Sequence, residues 1–117
     1  MEPVGFELPW PPSLNRYYRH VGPRVLISRE GRQYRMKTVS RLGGLFEKFT
    51  VPVKVCIELY PPDNRRRDLD NSLKCLLDSL THSGVYEDDS LIKDLELHMK
   101  DPVPPDGMVH VTIEERN

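Results

Sequence analysis

Residues 53–84 read VKVCIELYPPDNRRRDLDNSLKCLLDSLTHSG, and the rest of the chain is organised around this stretch. Its first eight residues alternate apolar and polar side chains, which is the pattern of a half-buried β-strand. Its last part carries leucines at i, i+3, i+4 and i+7, which is the pattern of an amphipathic helix. The stretch therefore predicts a strand at Val53–Tyr60, a charged loop, and a helix over residues 71–82 that is ended by Gly84.

The loop between this strand and this helix concentrates charge of both signs. Three consecutive arginines, 65–67, stand directly before Asp68 and Asp70. Asp70 or Asn71 falls at the expected N-cap, and Lys74 follows on the same edge of the helix. Both carboxylates can then point toward the positive end of the helix dipole, which suits anions and metal-bound phosphate. The loop thus predicts a site for phosphate and a divalent metal; a helix cap beside a solvated arginine loop is the alternative.

A second acidic run, residues 87–89, follows the helix. If the chain doubles back there, Asp89 joins Asp68 and Asp70 in a cluster of hard oxygen ligands, which suit Mg²⁺ or Mn²⁺. Carboxylate-bound metal beside a phosphodiester is the arrangement of metal-dependent nucleases. Lys74 would then bind a non-bridging phosphate oxygen or help to orient the nucleophile.

Other kinds of site fit these residues less well. An EF-hand starting at Asp68 requires Gly and Glu where the chain has Leu73 and Ser79. The four histidines are dispersed and no cysteine pair has ligand spacing, so the sequence gives no support for zinc. A Ser/His/Asp triad stays open by residue count, but the Gly-x-Ser-x-Gly motif that carries the nucleophile in many serine hydrolases is not present. We expect Cys56 and Cys75 to be free thiols.

Composition indicates one globular domain. The 117 residues are 38% hydrophobic and 30% charged, no apolar run approaches a membrane span, and the N-terminus lacks a signal peptide, so we expect a cytoplasmic protein. The net charge of −1 conceals an asymmetry: residues 1–67 hold 13 Lys/Arg and 6 Asp/Glu, a net +7, and residues 68–117 hold 4 and 12, a net −8. A basic segment suggests a patch for a polyanion, unless the charges interleave in space and cancel as surface pairs.

The remaining pattern predicts an α+β domain, with a mixed sheet of about four to five strands and two main helices. Ser28 is a plausible N-cap for a second helix, which Gly43 and Gly44 would stop. Further strands are expected where apolar residues alternate and in one short extended piece; the last two strands can pair as a hairpin. We expect these strands at residues 4–8, 91–99 and 108–113, the extended piece at 21–27, and the second helix at 29–42.

Residues 13–20, SLNRYYRH, mix arginines with tyrosines between prolines and polar residues. Arginine pairs with phosphates, and tyrosine stacks on bases, so this composition favours an exposed nucleic-acid-binding loop. Tyrosines at a core edge are the alternative.

Three stretches together resemble the RusA family of Holliday-junction resolvases of bacteria and their phages: LPWPPSLNRYYRH at 8–20, RRRDLDN at 65–71 with Lys74, and residues 84–89. The resemblance covers nearly the whole chain, and it implies that residues 1–117 form a single domain of this family. Carried onto this sequence, it implies Asp68, Asp70 and Asp89 for catalysis and metal, Lys74 for catalysis and a functionally important arginine at Arg67, with Asp88 a weaker acidic candidate. From the charge and composition of their segments, the residues that we expect to bind DNA are Arg65, Arg66, Arg67, Asn15, Arg16 and Arg19.

The resemblance further implies a homodimer that resolves four-way DNA junctions in recombination and repair by paired nicks that depend on Mg²⁺, with Mn²⁺ able to substitute. A two-fold junction suits a two-fold dimer, because one site can then face each of two opposed strands. The alternative from another class is a non-catalytic protein that recognises junction shape and uses its acids structurally.

Overall fold

A computed structural model describes residues 2–117. Its helices and strands follow one another as a mixture of both types rather than as a strict alternation. In chain order they are β1 (Val4–Pro9), α1 (Leu14–Tyr17), β2 (Tyr18–Val21), β3 (Arg24–Ile27), α2 (Arg29–Leu42), β4 (Val53–Tyr60), α3 (Leu73–Ser83), a 3₁₀ turn (Asp89–Leu91), β5 (Ile92–Met99) and β6 (Met108–Glu115).

Four strands form one mixed sheet in the order β1-β6-β4-β5, and β2 pairs with β3 in a separate hairpin. β6 is antiparallel to both β1 and β4, whereas β5 is parallel to β4. The predicted α+β class, with a mixed sheet and two main helices, is confirmed. The described residues contain no helix long and apolar enough to cross a membrane.

The expected hairpin between the last two strands is wrong, because β4 lies between β5 and β6. The connection through α3 returns the chain to the start of β4, so β5 adds in parallel, with Ile92 opposite Val53. The segment after β5 then crosses β4, and β6 pairs along the whole of β4, from Tyr60 opposite Met108 to Val53 opposite Glu115.

The core lies between one face of this sheet and the helices. On β4 the apolar residues Val53, Val55, Ile57 and Leu59 are buried, and the residues between them are half-buried on the outer face. Leu76 and Leu80 of α3 are fully buried in the same cluster. At roughly 25 cal/mol per Å² of apolar surface removed from water, such residues each contribute on the order of 2 kcal/mol. Their burial fixes how α3 and its preceding loop sit on the sheet.

α3 begins at Leu73, two residues later than predicted, with Ser72 rather than Asp70 or Asn71 at the N-cap position. The physical reason is a tertiary hydrogen bond, in which the Leu14 amide donates to the Asn71 carbonyl at 2.8 Å. The preceding residues instead form turns, closed by Asn71 N to Asp68 O and by Leu73 N to Asp70 O. At its other end α3 stops as expected, because Gly84 takes a left-handed φ of 80°.

Residues 13–27 depart from the predicted loop and single extended piece. They form α1 and the β2–β3 hairpin, whose turn contains Gly22 at a φ of 59°. Tyr17 has no exposed surface, so it is a core residue and not a base-stacking side chain. α2 and its N-cap are confirmed: the Ser28 hydroxyl accepts from the Gly31 amide at 3.0 Å.

Candidate active site

The loop after β4 fixes one of its three arginines. The Arg67 guanidinium contacts Asp63 Oδ1 at 2.8 Å and lies over the Trp10 ring at 5.7 Å, and its side chain is 19% exposed. Arg65 pairs more loosely with Asp63, at 3.5 Å, and is 83% exposed. Arg66 forms no side-chain hydrogen bond, ion pair or ring contact within residues 2–117. The hydrogen bond from Arg67, followed by one from the Arg65 backbone, lowers the pKa of Asp63.

A cleft of about 650 Å³ lies beside this loop. Among residues 2–117, its charged wall residues are five cations and two acids, Glu30 and Asp63, and the cations come from three parts of the chain that are distant in sequence. These cations are Arg16, Lys37, Arg65, Arg66 and Arg67. The structure thus gathers part of the positive charge of residues 1–67 on one surface.

The other predicted DNA-binding residues, Asn15 on α1 and Arg19 on β2, are exposed. Several acids of the second half, in contrast, form cross-strand pairs on the sheet, such as Glu96 with Lys54 at 3.1 Å. Both interpretations of the charge asymmetry therefore apply, each to a different surface.

The three predicted metal-binding aspartates have exposed side chains. Asp68 and Asp70 lie in the turns before α3, and Asp89 opens the 3₁₀ turn. Within residues 2–117 none of these three carboxylates accepts a hydrogen bond or forms an ion pair. Asp88 differs, because its carboxylate accepts from the Ser90 amide at 3.0 Å, and Ser90 lowers its pKa. Asp88 is thus held in place as the cap of the turn that presents Asp89.

The chain doubles back after α3, as the cluster hypothesis requires. Tyr86 is fully buried and its hydroxyl donates to the Leu77 carbonyl at 2.9 Å, which holds the returning segment against the middle of α3. The 3₁₀ turn packs on α3. Asp89 and Asp78 consequently line one cavity of about 300 Å³.

Lys74 is held by a chain of hydrogen bonds. Its ammonium contacts Asp78 Oδ1 at 3.1 Å. The other oxygen, Asp78 Oδ2, accepts from the Tyr17 hydroxyl at 3.0 Å. Tyr17 in turn accepts from Arg35 Nε and Nη2 at 3.1 and 2.8 Å. Because Tyr17 is buried and Arg35 belongs to α2, the position of Lys74 is tied to the packing of α2 on α3.

These contacts shift two pKa values. The hydrogen bond to Asp78, then the charge of Asp78 and more weakly those of Tyr18 and Asp89, raises the pKa of Lys74. Burial, followed by the hydrogen bond to Asp78, raises the pKa of Tyr17. Lys74 is therefore a cation and Tyr17 a neutral donor at neutral pH.

The donor chemistry of Asp68, Asp70 and Asp89 fits a hard divalent cation, since all three offer carboxylate oxygens that have no hydrogen-bond or ion-pair partner in the described part of the chain, 2–117. Their oxygens are not drawn together into a compact group. In residues 2–117, the one set of three or more His, Cys, Asp or Glu whose ligand atoms all lie within 4.8 Å of one another is Cys56, Glu96 and His98. Asp68 and Asp89 line different cavities.

Sequence reasoning missed Asp78 and the structural roles of Arg35 and Tyr17. Asp78 stands four residues after Lys74, the spacing of a helical ion pair, so that one contact was open to prediction. The contacts of Tyr17 and Arg35 with Asp78 span 61 and 43 residues, and no local pattern indicates them.

Known proteins match nearly the whole chain, including the segments that carry these residues. Residues 9–114 match the family Endodeoxyribonuclease RusA. Over 111 residues the chain is 46% identical to the crossover junction endodeoxyribonuclease of Enterobacteria phage 82, covering 92% of this chain and 91% of the relative. Over 117 residues it is 43% identical to the crossover junction endodeoxyribonuclease RusA of Shigella sonnei (strain Ss046) and 42% identical to that of Escherichia coli (strain K12), covering in each case 98% of this chain and 97% of the relative. The chain belongs to the RusA family of endodeoxyribonucleases.

Proposed function

We propose that this protein is a crossover junction endodeoxyribonuclease that resolves Holliday junctions by paired, metal-dependent nicks. Membership of the RusA family supports the reaction and its branched DNA substrate. The observation that carries the assignment to this site is that Asp68, Asp70 and Asp89 expose carboxylates with no hydrogen-bond or ion-pair partner within residues 2–117, while Asp78 holds Lys74 in place near Asp89.

In this proposal the cationic cleft receives the DNA backbone. Arg66 is free to pair with a phosphate, and Arg16 and Lys37 face the same space. Arg67, fixed by Asp63 and Trp10, stands directly before Asp68 and presents a guanidinium in a set orientation beside the acids. Asn15 and Arg19 would extend the contact surface along α1 and β2.

Asp68, Asp70 and Asp89 would hold a divalent cation, for which Mg²⁺ is our proposal, with Mn²⁺ able to substitute. When bound, such an ion supplies a hydroxide nucleophile at neutral pH and neutralises the charge that develops on the phosphate. Lys74 donates hydrogen bonds to a non-bridging phosphate oxygen and so stabilises the same charge. Asp78 positions Lys74 for this contact; it is not itself assigned to the reacting atoms.

We infer that the working unit is a homodimer. A four-way junction has two-fold symmetry, and each copy of this chain carries one such site, so paired nicks require two copies related by a two-fold axis.

The experiment is nicking of a labelled synthetic four-way junction by the wild type, Asp70→Asn and the matched control Asp101→Asn. Asp101 is another exposed aspartate, on the connection between β5 and β6. We expect Asp70→Asn to bind the junction but to lose nicking with Mg²⁺, because one metal-binding charge is gone while the side-chain size is kept. Asp101→Asn should bind and nick like the wild type, and EDTA should abolish nicking in all samples.

Nicking by Asp70→Asn at the wild-type rate would show that Asp70 has no such role. A wild type that binds the junction but never nicks it with Mg²⁺ or Mn²⁺ would support the alternative of a shape-recognising protein.

A further inference from the structure

The outer face of the sheet, on the side away from α2 and α3, carries polar residues that the proposed function does not use. The register places Cys56 of β4 directly opposite Glu96 of β5, and His98 lies two residues further along β5. Residues opposite each other, and residues i and i+2 on one strand, share a face of the sheet. The backbone therefore directs the thiol, the carboxylate and the imidazole to one place.

The ligand atoms of these three residues all lie within 4.8 Å of one another. Glu96 Oε2 and His98 Nε2 are 3.5 Å apart. Two ligands of a tetrahedral zinc ion are about 3.3–3.8 Å apart, given metal–ligand lengths of about 2.0–2.3 Å. The carboxylate and the imidazole are thus already at this spacing, and the sulfur, which lies within 4.8 Å of both, reaches it by a side-chain movement of no more than about 1.3 Å.

We propose that Cys56, Glu96 and His98 form a binding site for a divalent transition-metal ion of the zinc, cobalt or nickel type. A thiolate and an imidazole select such ions over Mg²⁺, which prefers oxygen ligands. The site is distinct from the proposed nuclease centre, because Lys74 and Asp78 belong to α3 on the other face of the sheet. Its existence does not depend on the proposed function.

The neighbours of these residues leave room for three protein ligands and an open position. Lys54 contacts Glu96 Oε1 at 3.1 Å, so Oε2 remains for the metal and the carboxylate is held from behind. Glu58 is already paired with Lys100 at 3.4 Å. We therefore assign water to the fourth position. About half of the Glu96 and His98 side-chain surface is exposed, which gives an ion access from solvent.

Bound metal would join β5 to β4. β5 is an edge strand of the sheet, paired on one side only. Two of the ligands lie on β5 and one on β4, so the ion would oppose separation of these strands and raise the thermal stability of the protein.

The test is a titration of the reduced, metal-free protein with Co²⁺ in excess Mg²⁺, which occupies oxygen-ligand sites. We expect a thiolate-to-cobalt charge-transfer band in the near ultraviolet and its loss on addition of Zn²⁺, together with a higher melting temperature in Zn²⁺. Cys56→Ser should abolish the band. His98→Gln should weaken Co²⁺ binding at least about 100-fold, because loss of a residue that only orients a ligand weakens metal affinity by about 10-fold to 100-fold.

Two variants are matched controls. Cys75→Ser alters the buried thiol in α3 and should keep the band, and His82→Gln alters an exposed histidine in α3 and should keep the affinity. Circular dichroism would verify folding of each variant before titration. Absence of the band in the wild type, its appearance only at millimolar Co²⁺, or its persistence in Cys56→Ser would overturn the proposal. The nicking rate of Asp70→Asn tests the proposed nuclease function and not this metal site.

Discussion

At the scale of single residues, the Asp78 carboxylate is the most connected group of the site. It accepts from Lys74 with one oxygen and from Tyr17 with the other, and Arg35 anchors Tyr17 from α2. A flexible lysine side chain is thereby restricted to one region beside Asp89. Holding a donor in place before the substrate arrives is the main way in which a distant residue affects the rate of a chemical step.

We predict that Asp78→Asn lowers the nicking rate at saturating protein by roughly 10-fold to 100-fold, the range for a misplaced catalytic group. Junction affinity should stay close to that of the wild type. The control is Asp94→Asn, which removes a carboxylate that pairs with Arg116 at 2.7 Å on the outer face of the sheet. Equal loss of rate in both variants, or a loss of affinity without loss of rate, would contradict the positioning role.

The same variant makes a prediction about pH. Asp78 raises the pKa of Lys74, so the ammonium of the wild type persists to higher pH than that of an unpaired lysine. The charged form is present below this pKa and lost as pH rises through it. Asp78→Asn should therefore move the alkaline decline of the saturated nicking rate to lower pH, whereas Asp94→Asn should leave the profile unchanged.

At the scale of elements, the loop between β4 and α3 combines one fixed and one free arginine. Arg67 is paired with Asp63 and lies over Trp10, and Arg66 has no partner within residues 2–117. The sequence alone suggests that all three arginines bind phosphate in the same way. The structure shows that Arg66 and Arg67 differ. A cation that is already neutralised within the protein releases fewer counterions when it meets DNA.

We predict that Arg66→Ala flattens the slope of log affinity against log salt by about one, as expected for one phosphate contact. Arg67→Ala should flatten it less and should instead lower the saturated nicking rate, because Arg67 borders Asp68. Arg116→Ala, on the outer face of the sheet, is the control and should leave the slope unchanged. Identical slopes for the wild type and Arg66→Ala would mean that this arginine does not face DNA.

The packing of α2 against residues 17 and 27 depends on Gly31. A Cβ added there would lie 2.7 Å from the Tyr17 ring, 2.9 Å from Ile27 Cγ2 and 2.9 Å from the Tyr17 carbonyl oxygen. These distances are too short, so α2 or Tyr17 would have to move. The glycine therefore lets the helix approach the residue that supports Asp78.

We predict that Gly31→Ala lowers the free energy of unfolding by about 1–3 kcal/mol, the usual effect of overpacking. It should also slow nicking, because Tyr17 is displaced. Gly5→Ala is the matched control, since its Cβ would meet no atom nearer than 3.7 Å. Denaturant unfolding and saturated nicking rates measure the two effects. A Gly31→Ala variant as stable as the wild type would mean that α2 lies further from Tyr17 than these distances indicate.

At the scale of the whole molecule, each chain brings one candidate site, whereas resolution of a junction requires two opposed nicks. The proposed dimer meets this requirement through its symmetry alone. Because the two subunits are identical, exchange with an inactive variant can produce dimers in which only one of the two sites is active.

We predict that the wild type elutes with twice the 13.6 kDa mass of the chain in light-scattering chromatography. After subunit exchange with an equal amount of Asp70→Asn, about half of the dimers should contain one active site. On a plasmid that extrudes a cruciform, these dimers should produce nicked circles, while wild-type dimers produce linear DNA. Unchanged proportions of nicked and linear product after exchange would show that the sites do not act as a pair within one dimer.

Much of this protein follows from the sequence alone. The alternation over residues 53–60 and the 3.6-residue period in α3 predict these elements to within two residues, because such patterns record which face of each element is buried. The ends of α2 follow from its Ser28 cap and from the glycines at 43 and 44. The order of the charged loop, with three arginines before Asp68 and Asp70, is likewise local. The RusA resemblance rests on short motifs of this kind, and the family is confirmed.

Tertiary structure alone decided the rest. Insertion of β6 between β1 and β4, burial of Tyr17, and the contact of Arg35 with Asp78 all join residues far apart in the chain. The proximity of Cys56 to Glu96 and His98 belongs to the same class, and ligand spacing along the chain does not indicate it, because the ligands come from two paired strands. Periodicity records burial one element at a time, whereas these contacts depend on which elements pack together, a choice made by the free energy of the whole fold.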